Sequence, residues 1–189
     1  METIIKREII IDKRLCRLCA VGVFVALTTL SAFVRIPLLF TPVPLTLQTF
    51  FVLLSGALLG RKLGVVTQAA YMFLGLFGQQ VFTGSGCGSL YLLGPTGGYI
   101  VGFVLASFLA GSFLIKEKQS AFSVFIKLLV ADFIILFSGM LWLKISLSLS
   151  LSKAFLLGFL PFVLGDILKV ILATVVYNKM HARIKACLY

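Results

Sequence analysis

The chain has 189 residues, of which 60% are hydrophobic and 12% charged, with a mean hydropathy of +1.13. Soluble domains carry about 25% charged residues, so this chain lacks the polar surface to cover a water-exposed core. Its 18 Phe exclude intrinsic disorder, and 4 Cys are too few for a disulfide scaffold. The net charge of +11 does not indicate a nucleic-acid partner, because the basic residues fall at the ends of apolar stretches rather than on one wettable patch. The composition indicates an all-α, polytopic membrane protein. One span takes roughly 20 residues, so the length holds six or seven spans and no extramembrane domain.

Residues 1–17 form a basic N-terminal segment. The apolar stretch from Leu18 to Val34 is longer than a signal-peptide core and has no small-residue cleavage site, so it is the first span. Arg35 closes it. The next segment, Ile36 to Pro44, holds Pro37, Pro42 and Pro44, which deny backbone donors and fix φ. It is nevertheless apolar. Irregular backbone at membrane depth needs protein or a cavity to satisfy it, so a re-entrant loop folded into the bundle is predicted.

The second span runs from about Leu45 to Leu59, ahead of Arg61 and Lys62. No charged residue occurs from Leu63 to Ile115. That stretch holds a third span ending near Gly78, a glycine-rich connector, and a fourth span from near Thr96. A fifth span covers about Ser123 to Leu143, followed by an interfacial turn over Lys144 to Lys153. The sixth covers about Ala154 to Tyr177, and residues 179–189 form a basic tail. Residues 18–178 are thus read as a six-helix membrane domain. Six spans put both termini on one side, which carries 12 basic residues against 3 on the other (Arg35, Lys144 and Lys153). That bias predicts cytoplasmic termini.

Ionisable residues inside spans cost about 2.5–3.5 kcal/mol each on insertion scales, so they mark candidate sites. Asp166 and Lys169 lie three apart and share a helix face. They can hold a polar ligand group in an apolar cavity; the alternative is a structural ion pair between helices. Asp132 can pair with Lys127 or another helix, or sit in a polar cavity. Gly84, Gly86, Gly88, Gly94, Gly97 and Gly98 permit tight turns, but no Gly-Lys dipeptide occurs, so no nucleotide-hydrolysing P-loop is present. Cys16 and Cys19 form an isolated Cys-x-x-Cys in a basic context, a poor redox or metal signal. His181 is the single histidine and lies in a basic tail, which argues against a zinc enzyme; no metal or cofactor is expected. Gly22 and Ala26 form a small-x-x-x-small pattern that lets helix backbones approach, within the bundle or with a partner.

Three of these segments together resemble the BioY family. They are Thr41-Pro42-Val43-Pro44-Leu45-Thr46-Leu47-Gln48-Thr49, then Leu92-Leu93-Gly94-Pro95-Thr96-Gly97-Gly98-Tyr99, and Leu160-Pro161-Phe162-Val163-Leu164-Gly165-Asp166-Ile167-Leu168-Lys169. The resemblance covers roughly residues 18 to 178. It implies a six-helix biotin-binding component, the S component, of an energy-coupling factor (ECF) transporter in the bacterial cytoplasmic membrane. ATP hydrolysis would be left to a separate module of two ATPases and a transmembrane coupling subunit, so the chain itself would not be an enzyme.

The resemblance further implies a ligand site drawn from Asp166, Lys169, Tyr99, Ser85, Gly84, Thr41, Val43, Gln48, Gly97 and Tyr71. Tyr71, Phe82 and Tyr99 would form aromatic walls, and the proline-rich loop a stiff cover. Gly22 and Ala26 would meet the coupling subunit, with Phe24 interrupting their small-residue stripe. The alternatives are a related component for thiamine or riboflavin, and a small integral-membrane enzyme.

Overall fold

A chain this apolar must satisfy its backbone polar groups internally, and helices do so within each segment. The computed structural model describes residues 13–114 and 119–188. The first 12 residues of the expected basic segment, Lys116 and Lys118 lie outside the described residues. The elements are α1 (Lys13–Phe33), β1 (Arg35–Ile36), β2 (Leu45–Thr46), α2 (Gln48–Leu76), α3 (Gly88–Leu93), α4 (Gly97–Phe113), α5 (Ala121–Ser146), α6 (Leu151–Gly158) and α7 (Leu160–Leu188). Among the described residues, α1, α2, α5 and the run Leu151–Leu188 are long and apolar enough to cross a membrane; α4 is a shorter apolar helix.

The predicted second and third spans are the two arms of α2. Gly60 divides them, at φ +79° and ψ 174°, a backbone region that favours glycine. The arms fold back on each other: Gln68 Nε2 donates to Ser55 Oγ at 2.9 Å, and a Cβ on Gly64 would come within 2.7 Å of Gly56 Cα. Six segments therefore traverse the bundle. The first arm, residues 48–59, is unusually short. At about 1.5 Å per residue it rises roughly 18 Å, against a hydrocarbon core about 30 Å thick. The loop before it makes up the difference.

That loop is the predicted re-entrant segment. β1 and β2 pair antiparallel, Arg35 opposite Thr46 and Ile36 opposite Leu45, and Leu47 N donates to Val34 O below them. Val43 and Thr41 point inward and are buried, while Leu39 and Phe40 face outward. The prolines occupy the tip and its approach, where no ladder hydrogen bond is lost.

The last span departs from expectation. It is broken at Phe159, where α6 ends and α7 begins, and α7 continues to Leu188 rather than stopping near Tyr177. Pro161 is the physical reason. It has no N–H to give Leu157, so the helix restarts with Pro161 in the first turn of α7, where the donor is not required. The connector before it is also tighter than the predicted ten residues: α5 runs on to Ser146 and α6 starts at Leu151. Ser150 caps α6 by accepting from Lys153 N at 3.4 Å.

The start of α1 meets the end of α7. Arg17 Nε donates to Leu188 O at 2.9 Å, and Cys16 is disulfide-bonded to Cys187. The Cys-x-x-Cys is thus not a pair: Cys19 is free and exposed, and its neighbour's partner lies 171 residues away. This end of the bundle also holds the Gly60 turn, the end of α4 and the start of α5. The opposite end holds the β-hairpin, the segment 77–96 and the α5–α6 turn.

Candidate ligand site

The site lies below the hairpin, where the N-terminus of α2 meets the middle of α7. Asp166 and Lys169, one turn apart on α7, are 2% and 8% exposed. Lys169 Nζ contacts Asp166 Oδ1 at 2.6 Å and donates to Thr49 Oγ1 at 3.0 Å; Thr49 in turn donates to Asp166 Oδ1 at 3.2 Å. Taking two charges out of water is costly unless their remaining valences are met, and this triangle meets part of them. Both protein contacts fall on Oδ1 of Asp166, and two of the three ammonium donors of Lys169 are used. The pair therefore presents one acceptor oxygen and one N–H donor to the cavity.

The cavity is bounded by Val43, Pro44 and Thr46 from the hairpin, by Gln48, Thr49 and Tyr71 from α2, and by Thr83 and Tyr91 from the segment between α2 and α4. Thr96, Tyr99, Ile100 and Phe103 close it at α4, Leu136 at α5, and Phe162, Asp166 and Lys169 at α7. The empty space among them, mouth included, is about 520 Å³. Apolar walls with a few convergent polar groups are the composition of a small-molecule site.

A second polar cluster sits across from the ion pair. Gln48 Nε2 donates to Tyr71 OH at 2.6 Å, Tyr71 OH donates to Val81 O at 3.1 Å, and Thr83 Oγ1 donates to Gln48 Oε1 at 3.0 Å. Tyr91 OH reaches Thr83 O at 3.1 Å. This chain of bonds fixes the segment 81–91 against α2.

Of the ten residues named from the sequence, Asp166, Lys169, Tyr99, Val43, Gln48 and Tyr71 line the cavity; Thr41, Gly84, Ser85 and Gly97 do not. Thr41 accepts from Val43 N and shapes the hairpin tip. Gly84 and Ser85 form a turn with positive φ at both residues, and the neighbouring Thr83 reaches the cavity in their place. Gly97 packs where a Cβ would strike Leu92 O, and Thr96 lines the wall beside it.

The aromatic walls also differ in part. Phe82 is fully buried behind the cavity, stacked on Tyr91 and edge-on to Tyr71, and Tyr91 is the wall residue. Tyr99 turns its ring to the cavity, but its hydroxyl donates to Gly158 O at the end of α6. That carbonyl is free because Phe162 N, its helical partner, bonds Phe159 O across the break. Thr49 and Tyr91 were not singled out from the sequence. Thr49 closes the proline-rich motif one residue after Gln48, and that adjacency was the available signal.

Asp132 on α5 is 2% exposed, and its Oδ1 has no hydrogen-bond partner among the described residues. It does not pair with Lys127, which donates to Gln119 instead. It does not line the cavity, although it lies close to Asp166 and Lys169. Gly22 and Ala26 face outward on α1, and nothing lies near Gly22. Phe24 points into the core at 8% exposure and so does not interrupt that outer stripe.

Comparison with known proteins agrees with this architecture. The chain is 41% identical over 161 residues to a probable biotin transporter BioY of Pyrococcus horikoshii, covering 85% of this chain and 93% of the relative. It is 39% identical over 161 residues to the biotin transporter BioY of Thermotoga maritima, covering 85% and 92%. The fold superposes on the crystal structure of the S-component for biotin from an ECF-type ABC transporter with a TM-score of 0.86, at 30% identity over 90% of this chain and 93% of that one. The BioY family model matches residues 6–186, and with the apolar helices this identifies a multi-pass membrane protein that belongs to the BioY family.

Proposed function

We propose that this chain captures biotin from outside the bacterial cytoplasmic membrane and delivers it inward as the S component of an ECF-type transporter. It acts as a binding subunit rather than an enzyme. The observation that carries the reading is the Asp166–Lys169–Thr49 triangle at the base of the cavity. It offers one acceptor and one donor side by side, the complement of a cyclic urea's N–H and C=O. Charge-assisted bonds to a buried pair give affinity and orientation together. The aromatic faces of Tyr91, Tyr99 and Phe162 cover the apolar thiophane ring.

The hairpin covers the mouth, and its prolines reduce the ordering cost of closing over ligand. Movement of biotin through the membrane draws on a separate ATPase module, met through the outward stripe of Gly22 and Ala26 on α1. The basic-residue bias puts the termini, the Gly60 turn, the end of α4 and the start of α5 on the cytoplasmic side. Calorimetric titration of the purified protein with biotin, thiamine and riboflavin tests the reading. Saturable binding of biotin alone is expected; tight binding of either other vitamin, or no binding of biotin, overturns it.

A further inference from the structure

The two ends of the cavity differ in charge, and this fixes which way a ligand lies. At the deep end, the Lys169 ammonium is already matched by Asp166 at 2.6 Å, and Asp132 adds a second carboxyl group close to them. A ligand carboxylate placed on Lys169 would share that one cation with the Asp166 carboxylate. At the mouth the situation is reversed. Arg35 on β1 pairs with Thr46, a cavity residue, and its guanidinium lies over Gly84, beside the cavity residue Thr83. A Cβ on Gly84 would come 2.6 Å from Arg35 Nη1, so the glycine, at φ +73°, makes room for the guanidinium. The described acids, Asp132 and Asp166, are both buried in the bundle, and neither pairs with Arg35. The other cations on this side, Lys144 and Lys153, belong to a stretch that contributes nothing to the cavity wall.

We infer that Arg35 is the residue that reads the ligand's carboxylate, so that biotin lies with its ureido ring on Asp166 and Lys169 and its tail carboxylate at the rim. This rests on the biotin reading and assigns the ligand's polarity within it. The geometry is that of a specificity residue: an exposed cation beside the hairpin wall of a pocket whose base holds a matched ion pair. It predicts discrimination between biotin and its uncharged methyl ester.

The test is titration of purified wild type, Arg35→Gln, Arg35→Lys, Lys169→Ala and Lys153→Gln with biotin and with biotin methyl ester. Wild type is expected to prefer biotin by about fivefold, the factor of an ion pair at a partly exposed rim. Arg35→Gln should lose that preference by weakening biotin alone, Arg35→Lys should keep most of it, and Lys153→Gln should keep all of it. Lys169→Ala should weaken both ligands and leave their ratio intact. Loss of the ratio in Lys169→Ala, or an unchanged ratio in Arg35→Gln, places the carboxylate elsewhere and overturns the inference. An equal loss for both ligands in Arg35→Gln assigns Arg35 to the fold of the rim and also overturns it. Wild type binding neither ligand overturns the biotin reading and this inference with it.

Discussion

Asp166→Asn separates the two things the buried pair does. The substitution keeps the size of the side chain but removes the charge that Lys169 contacts at 2.6 Å, leaving a buried ammonium whose remaining partners, the amide oxygen and Thr49, carry no compensating charge. Breaking one side of a buried ion pair costs about 3–5 kcal/mol, because an uncompensated charge remains. In the ligand-free protein this should appear as a marked drop in melting temperature in detergent. The effect on biotin is a second quantity. A hydrogen bond to a charged group contributes about 1.5–3 kcal/mol, so losing the Asp166 acceptor should weaken binding by roughly 10- to 150-fold. Fluorescence-monitored melting gives the first number, and titration of the folded fraction gives the second. The double variant Asp166→Leu with Lys169→Met should recover much of the melting temperature, since no buried charge is left, yet bind no biotin. Near-wild-type affinity in folded Asp166→Asn, or no recovery of stability in the double variant, would refute the reasoning.

Other consequences are simpler to read. Tyr99→Phe should lower thermal stability by about 1–3 kcal/mol, because Gly158 O loses its donor, while biotin affinity changes less than threefold, because the ring is kept; a large loss of affinity with unchanged stability would mean that the hydroxyl serves the ligand. Gly60→Ala forces a side chain into φ +79° and should cost about 1 kcal/mol or more, read as a lower melting temperature with binding retained in the folded fraction. Alkylation of unfolded but unreduced protein, followed by mass measurement, should label Cys19 and Cys87 and spare Cys16 and Cys187; labelling of all four would show that the bond between α1 and α7 does not form.

Much of the architecture could be read from the chain because lipid imposes so few solutions. Hydropathy located the segments, and the uncharged run from Leu63 to Ile115 was read as two spans with a connector between them, as α2 and α4 bear out. The cost of intramembrane charge singled out Asp166 and Lys169, which the structure places at the base of the cavity. What escaped was set by distance rather than by local chemistry. Thr49 bonds Lys169 across 120 positions, and its hydroxyl looks no different in sequence from any other near a helix start. Cys16 finds Cys187 rather than the nearer Cys19 because α1 and α7 meet at their ends. The glycine-rich connector misled in a specific way: Gly84 and Gly97 create the space, while Thr83 and Thr96 beside them fill the wall. The break at Phe159 was legible in principle, since Pro161 was in view, but the apolar run through it masked the interruption.

The hairpin over the cavity has almost no slack. Val34 alone links it to α1 and Leu47 alone links it to α2, and the bond from Leu47 N to Val34 O ties those two residues to each other. A cover fastened in this way cannot drift aside like a long loop. Its tip can tilt about that clasp, but any larger opening must draw on the first turn of α2, which carries Gln48 and Thr49, or on the end of α1. Access to the cavity, the alignment of the Thr49 hydroxyl with the buried ion pair, and the posture of the helix bearing Gly22 and Ala26 are therefore linked in series. A ligand drawing the tip inward would therefore bear on both helices, and through α1 on its outer face.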